Sequence, residues 1–373
     1  MKKNSILLVA GGTGGHLFPA EALSCELQNR GYCIHLVTDC RTKNFSANFS
    51  ASTIHEIPSS QFSLLNPVIL YNFIKFFLKG FFISFKIIRK IKPIAIIGFG
   101  GYPSLSPLFA GISLRIPSII HEQNVIMGRA NYLLSFFVRA IATGFFLKKN
   151  TFLNDKIIVT GNPVRASILK ASSVSYQPSY PDQPFHLVIM GGSQGAQFFS
   201  KIVPLAISHI PSKHLKRLMI TQQVRQEDIE EVQSHYNKLH LTAKISSFFV
   251  DIAEHIATAH LLICRSGAST VSEIAVIGRP SILVPYPYAV GKDQLANAMF
   301  LKDTGGAEVV MQSSLSPERL ADILLSAMEE PERLMKMAKE AYKMGKPQSV
   351  DFLADVVEGI SKGHKVSQLK RKN

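Results

Sequence analysis

Two glycine-rich turns, 180 residues apart, constrain what this 373-residue chain can fold into. The first follows the apolar run 6–10 and reads Gly11-Gly12-Thr13-Gly14-Gly15-His16. The second follows the run 187–190 and reads Gly191-Gly192-Ser193-Gln194-Gly195-Ala196. Each leads into a helix-like stretch. A strand that turns through glycines into a helix presents bare N–H groups at the positive end of a helix dipole, and that arrangement holds phosphate. Two such turns predict two nucleotide-fold halves facing each other across a cleft, with an anionic ligand between them. Neither turn is G-x-G-x-x-G, because Leu17 stands at the third glycine position, and neither continues into the Gly-Lys-Ser/Thr of a P-loop. One turn alone would equally suit a tight strand-to-helix connection without a ligand.

Around the turns, short apolar runs alternate with longer helix-like stretches, the pattern of a parallel sheet covered by helices. Strands are expected at 5–10, 33–38, 94–98, 117–121, 140–143 and 157–160. In the second half they are expected at 186–190, 217–221, 243–248, 261–264, 281–284 and 308–311. The proline- and serine-rich stretch 171–184 has no helical period and reads as an exposed connection near a domain boundary. Residues 330–362 read as helical, broken near Gly345 and Pro347, before a basic tail at 370–373. The fold class is therefore α/β, with two Rossmann-like parallel-sheet domains.

Composition narrows the partners. With 46% hydrophobic and 18% charged residues the chain has core enough for two domains, and its formal net charge of +15 calls for anionic partners. The cations are dispersed and no nucleic-acid motif is present, which leaves phospholipid surfaces and phosphorylated substrates. Cys25, Cys33, Cys40 and Cys264 show no C-x-x-C pairing, so neither zinc nor a disulfide framework is expected. The apolar run after Lys2 and Lys3 is too short for a signal peptide, which places the protein in the cytosol.

One stretch departs from the soluble pattern. Residues 62–91 are crowded with Phe, Ile and Leu, yet no uncharged run reaches the ~20 residues of a membrane span. On a helical wheel Lys75, Lys79, Lys86, Arg89 and Lys90 fall within an arc of about 100°. The rest of the circumference is apolar, including Phe76, Phe77, Phe81, Ile83 and Phe85. Two readings stand side by side: a greasy core helix with its charged face in solvent, or an amphipathic contact with an anionic membrane surface.

Several polar clusters end expected strands, where open α/β sheets bind ligands. His16 closes the first turn, before Pro19 is expected to start the helix, and has the right unperturbed pKa for a general base, although it could instead donate to a phosphate or cap the turn. Gly98-Phe99-Gly100-Gly101-Tyr102-Pro103 follows a strand, as does His121-Glu122-Gln123-Asn124. Four consecutive hydrogen-bonding side chains must pair with each other, meet a polar ligand or lie in a solvated loop. Arg165, in Gly161-Asn162-Pro163-Val164-Arg165, puts a permanent charge at the end of the first half. In Cys264-Arg265-Ser266-Gly267-Ala268-Ser269-Thr270-Val271-Ser272-Glu273, Ser266 or Ser269 could cap the next helix, and Glu273 could accept from two ribose hydroxyls. No Asp-x-Asp occurs, so a metal bridging a diphosphate is not expected and helix dipoles must carry the leaving group's charge.

These segments, with Asp293-Gln294-Leu295-Ala296-Asn297-Ala298, together resemble the MurG-type N-acetylglucosaminyltransferases of peptidoglycan synthesis. The resemblance implies a GT-B fold and metal-free, cofactor-free, inverting transfer of N-acetylglucosamine from UDP-N-acetylglucosamine. The acceptor would be the 4-hydroxyl of undecaprenyl-diphospho-muramoyl-pentapeptide, at the cytoplasmic face of the inner membrane. It implies donor contacts at Thr13, Gly14, Gly15, Asn124, Arg165, Ser193, Phe249, Ala268, Ser269, Thr270, Val271, Ser272, Glu273 and Gln294. Phe249 stands where the family commonly has an aliphatic residue, but its expected contact to uracil is through the main chain. The acceptor diphosphate would meet Gly14, Gly15, His16, Gly100, Gly101 and Tyr102, with His16 the leading base and Glu122 the runner-up. The implied domains are 1–164, facing acceptor and membrane, and 165–345, binding the donor, with a helix at about 346–363 packing back on the first. The family's membrane patch falls on 62–91, and other cell-wall synthesis proteins are further partners. Two rival readings are a UDP-N-acetylglucosamine 2-epimerase and a catalytically silent membrane-docking partner. The lipid-facing stretch counts against the first, and the intact set His16, Arg165, Glu273 and Gln294 against the second.

Overall fold

The computed structural model of the chain describes residues 4–12, 14–39, 49–60, 67–147, 153–192 and 197–370. It divides into two compact units, Met1–Arg165 with Pro347–Asn373, and Ala166–Lys346.

The first unit is built on a parallel sheet of strands β1 (Ser5–Val9), β2 (Cys33–Thr38), β3 (Thr53–Glu56), β4 (Ala95–Gly98), β5 (Ser118–Glu122), β6 (Ala140–Thr143) and β7 (Ile157–Val159), in the order 3-2-1-4-5-6-7. Parallel neighbours need crossovers, and here helices α1 (Gly14–Asn29), α2 (Pro67–Ile91), α3 (Leu105–Ser113) and α4 (Arg129–Ser135) supply them. Sheets covered on both faces have strands apolar on both faces, and β1 shows this directly. Ile6 and Leu8 pack with Leu23 and Leu27 of α1 and with Leu353 and Val357 of the C-terminal helix Ser349–Ser361. Leu7 and Val9 face the other way, toward Ile88 of α2 and Leu108 of α3. Arg30 bonds Asp355 at 2.8 Å and the Asp351 carbonyl at 3.2 Å, which ties α1 to that C-terminal helix.

The second unit repeats the topology. Its sheet runs β10 (Ala243–Ser246), β9 (Leu218–Gln223), β8 (Phe185–Met190), β11 (Leu261–Cys264), β12 (Ser281–Leu283) and β13 (Glu308–Val309), again all parallel. Helices α5 (Ala166–Ala171), α6 (Gln197–Ser208), α7 (Ile229–Lys238), α8 (Ile252–Thr258), α9 (Ala268–Ile277), α10 (Asp293–Lys302), α11 (Pro317–Glu329) and α12 (Pro331–Lys343) cover it.

The expected strands are all present, within a few residues of their expected ends. β3 was not anticipated, because Thr-Ile-His-Glu on a half-polar edge carries almost no apolar signal. Helix α1 begins at Gly14 rather than at Pro19, which lies inside it. His16 is therefore a first-turn helical residue. The stretch 171–184 is largely exposed, but its backbone is anchored to the second unit. Arg279 donates to Val174 O, and Arg217 to Tyr180 O. Cys25, Cys33 and Cys264 are free thiols, while Cys40 and residues 62–66 lie outside the described residues.

Arg279 is the second unit's buried bolt, only 1% exposed. Its guanidinium donates to Ala257 O at 2.9 Å, Ile277 O at 3.0 Å, Gly278 O at 2.9 Å and Val174 O at 2.7 Å, over the Tyr176 ring. Burial pushes its pKa down to about 10, so it stays charged at neutral pH. Arg279→Leu would orphan these carbonyls, at about 1–3 kcal/mol for each one left dry. Urea denaturation followed by tyrosine fluorescence should show the loss of about 3 kcal/mol or more.

Candidate active site

In each unit the strand order reverses beside the first strand, and the glycine turns leave the sheet at that point. β1 pairs with β4 so that Val9 lies opposite Gly98, and β8 pairs with β11 so that Met190 lies opposite Cys264. The turns after paired strands therefore emerge side by side on the carboxyl edge, where a crevice opens in doubly wound sheets.

On the first edge the two turns interlock. A Cβ at Gly11 would stand 3.0 Å from Pro103 Cγ. Gly100 and Gly101 have φ of 94° and 74°, left-handed values that suit glycine. His16 lies against them, its Nε2 3.5 Å from where a Gly100 Cβ would be. His16 Nδ1 lies 3.0 Å from Gly11 O. A carbonyl can only accept, so the neutral ring carries its proton on Nδ1 and Nε2 becomes the basic nitrogen. Tyr102 packs edge-on against Phe73 of α2, which links this turn to the apolar helix. Gly14 is buried and Gly15 exposed at the start of α1. Asp39, buried at the end of β2, accepts from Gly12 N at 3.3 Å and from Ser59 Oγ at 2.8 Å. Sequence reasoning passed over it, although it directly follows an expected strand.

The cluster 121–124 is not a solvated loop. His121, Glu122 and Gln123 are buried and pair with one another and with their surroundings. His121 Nε2 meets Gly161 O at 3.3 Å, and burial drives its pKa down to about 4. The neutral ring therefore donates from Nε2, and its Nδ1 accepts from Gln123 Nε2 at 3.0 Å. Glu122 Oε1 accepts from Asn124 N at 3.0 Å and Asn124 Nδ2 at 3.3 Å. Its Oε2 accepts from Gly128 N and Asn131 Nδ2, both at 2.9 Å. Four donors on one carboxylate make Glu122 a loop organiser, and this geometry argues against the runner-up base. Asn131 was missed by sequence reasoning, since a lone Asn inside a helix carries no signal of its own. Arg165 stacks over Phe18 of α1 at 4.6 Å, two residues from His16.

On the second edge, Gly192 is left-handed at φ 87°. Helix α9 is capped by Gly267, with no side-chain cap. Ser266, expected as a cap candidate, instead donates to Gln294 O at 2.8 Å. As the cap, Gly267 brings no side chain of its own to the start of α9, and a helix amino end without a bulky cap suits the approach of a phosphate. Val271 and Glu273 are buried in α9, and Ser269, Thr270 and Ser272 are half-buried. Phe249 packs edge-on to His255 at 5.1 Å. Gln294, in the first turn of α10, accepts from Tyr286 N at 2.9 Å through Oε1. Thr13 and Ser193 lie outside the described residues. Among the described residues no group of three or more His, Cys, Asp or Glu side chains could hold a metal.

The chain matches the models of the glycosyltransferase family 28 N-terminal domain over residues 6–143 and C-terminal domain over residues 186–353. It is 52% identical over 371 residues to the UDP-N-acetylglucosamine--N-acetylmuramyl-(pentapeptide) pyrophosphoryl-undecaprenol N-acetylglucosamine transferase of Rhizobium etli. That alignment covers 100% of this chain and 99% of the relative. The crystal structure of Acinetobacter baumannii MurG superposes with a TM-score of 0.76 at 29% identity, covering 95% of this chain and 99% of the other. A UDP-GlcNAc 2-epimerase from Neisseria meningitidis, at 13% identity and TM-score 0.68 over 95% of this chain and 99% of that one, shares the fold.

The different settings of Glu122 and His16 separate architecture from chemistry. Glu122→Ala takes the acceptor from four donors, the Asn131 amide among them buried, and should cost about 2–4 kcal/mol of stability. His16→Ala, at a half-buried position, should cost less than about 1 kcal/mol. Thermal denaturation of the two variants checks the contrast.

Proposed function

The chain belongs to glycosyltransferase family 28, and from that membership we infer that it transfers N-acetylglucosamine from UDP-N-acetylglucosamine to lipid-linked N-acetylmuramoyl-pentapeptide. The observation that carries this is the 52% identity to the Rhizobium etli transferase along the whole chain. The product is the disaccharide lipid precursor of peptidoglycan. The epimerase likeness, at 13% identity, speaks for the fold alone.

The mechanism we propose is direct displacement. The acceptor's 4-hydroxyl attacks the anomeric carbon from the side opposite the diphosphate. The new C1–O4 bond forms as the C1–O bond to UDP breaks, UDP leaves with the bonding electrons, and the anomeric configuration inverts. His16 Nε2 takes the hydroxyl proton, a role supported by the Nδ1 contact to Gly11 O that leaves Nε2 basic. The acceptor diphosphate would meet Gly14, Gly15, Gly100, Gly101 and Tyr102. On the donor side, the α9 amino end and the Gly191-Gly192 turn would bear the leaving group's charge, and Glu273 would accept from the ribose. Main chain near Phe249 would read uracil, with Asn124, Arg165 and Gln294 contributing further contacts.

The acceptor is lipid-linked, and α2 gives the first unit a surface suited to reaching it. This helix is long and apolar enough to cross a membrane by length and composition, yet it also packs on α3, where Gly80 lies against Ser106 and Ser106 Oγ donates to Phe77 O at 3.1 Å. Its outer face exposes Val68, Tyr71, Ile74, Leu78 and Phe82 beside Lys75, Lys79, Lys86, Arg89 and Lys90. The ring of Phe77 contacts Phe109, and Phe109 contacts Phe137, extending the apolar surface to exposed Tyr132, Leu133, Phe136 and Phe137. We read this face as a peripheral contact with the anionic cytoplasmic leaflet, each cation near the surface adding roughly 1 kcal/mol.

UDP release from UDP-N-acetylglucosamine, with and without a short-chain soluble acceptor, tests the activity; release independent of acceptor would refute transfer. In the same assay His16→Ala should lower kcat roughly 10²–10⁴-fold with donor KM little changed. The acidic limb of the pH profile, where the imidazole takes up its proton, should vanish with it. A normal kcat with a greatly raised acceptor KM would make His16 a phosphate ligand instead. Replacing Lys75, Lys79, Lys86 and Lys90 by Gln should weaken flotation with anionic vesicles while sparing turnover of the soluble acceptor. Unchanged flotation would return α2 to an ordinary core helix.

A further inference from the structure

Arg265 is 7% exposed at the carboxyl end of β11, and its guanidinium meets no carboxylate among the described residues. Its Nη1 donates to Val284 O at 3.1 Å and Pro285 O at 3.3 Å, and its Nη2 to Gln312 Oε1 at 2.7 Å. Three rings surround it: Phe199 at 4.9 Å, Tyr286 at 5.4 Å and Phe198 at 5.5 Å. Burial pushes its pKa down from the usual arginine range. A buried cation satisfied by carbonyls and ring faces is costly to assemble, and it ties together the loops after β11, β12 and β13 with the start of α6.

What those loops hold is Gln294. Tyr286 N, next to the two carbonyls that Arg265 grips, donates to Gln294 Oε1 at 2.9 Å. Ser266, next to Arg265 in the chain, donates to Gln294 O at 2.8 Å and accepts at its own carbonyl from Asn297 Nδ2 at 3.2 Å. A backbone N–H can only donate, so it fixes which end of the carboxamide faces inward. Oε1 is turned in, and the NH₂ is left as the group that Gln294 offers to a ligand.

We propose that Arg265 is a positioning residue for sugar recognition: by gripping the 284–286 loop it locks the Gln294 carboxamide so that its NH₂ donates to an acceptor oxygen on the donor's hexosamine. This rests on the reading of Gln294 as a donor ligand. Lysine keeps the charge but has neither the planar fork nor the ring stacking, so Arg265→Lys releases the loop without removing the cation.

The test measures affinity for UDP and for UDP-N-acetylglucosamine by calorimetry on the full-length protein. In Arg265→Lys, UDP affinity should stay within about twofold while UDP-N-acetylglucosamine affinity falls roughly five- to tenfold, the size of one lost hydrogen bond. Adding Gln294→Ala to Arg265→Lys should cost nothing further, because the two act through one contact. Equal loss for both ligands, no loss for either, or additive losses in the double variant would overturn the proposal. If Arg265→Lys does not fold, Gln312→Ala decides: it removes one of the fork's acceptors and should show the same sugar-selective loss, more weakly. An unselective or absent effect there also overturns it. Wild-type protein that does not bind UDP-N-acetylglucosamine at all would refute the functional reading itself, a result distinct from failure of the Arg265 variants.

Discussion

Everything in both units follows from one pairing constraint, a first strand flanked on both sides by parallel partners. β1 is held between β2 and β4, and β8 between β9 and β11. Chain order must then reverse beside the first strand, and the two turns leaving that point have no neighbouring connection to cover them. Glycine at 11, 100, 101 and 192 keeps that edge free of side chains, so backbone N–H groups and the starts of helices face outward. The same pairing makes the central strands apolar on both faces, which is why Leu7 and Leu8 can serve different layers of one core.

Polar groups near these edges divide by what they touch. The cluster 121–124 is directed mostly at the protein: buried His121, Glu122 and Gln123 brace the loops after β5 and β7 and leave Asn124 half-buried at the edge. Asp39 does similar work for Gly12. Such buried networks hold loops rigidly at the cost of tolerating little change, because one missing partner strands several others. Arg265 and Arg279 extend that logic to buried cations fed by main-chain carbonyls.

The sequence carried the strand positions, the parallel class and the two turns, because a doubly buried strand must be a continuous apolar run and a tight turn must spend glycines. It did not carry β3, whose edge position asks for no apolar pattern. It misplaced the start of α1, since Pro19 looks like a first-turn proline when the helix already begins at Gly14. Around the candidate site, His16 and Glu273 were legible as polar groups after glycine turns. The partners that orient them or their neighbours were not: Asn131, Asp39 and Arg265 gain meaning only from contacts across the fold, such as the 47 residues separating Arg265 from Gln312.

The helix Ser349–Ser361 completes the core of a sheet whose last strand ends at Val159. Ser349 Oγ donates to Asn162 O at 2.7 Å, bringing the chain's last long helix back to the end of its first half. During synthesis this has an ordering effect. A ribosome adding about 5–20 residues per second needs roughly 10–40 s to travel from the end of the first half to that helix. Throughout that interval Leu23 and Leu27 of α1 wait without Leu353 and Val357 to complete their cluster, whereas the second unit is complete as soon as the interval ends. The half made first is thus the half finished last, and the nascent chain's sticky surface is the one nearest its amino terminus.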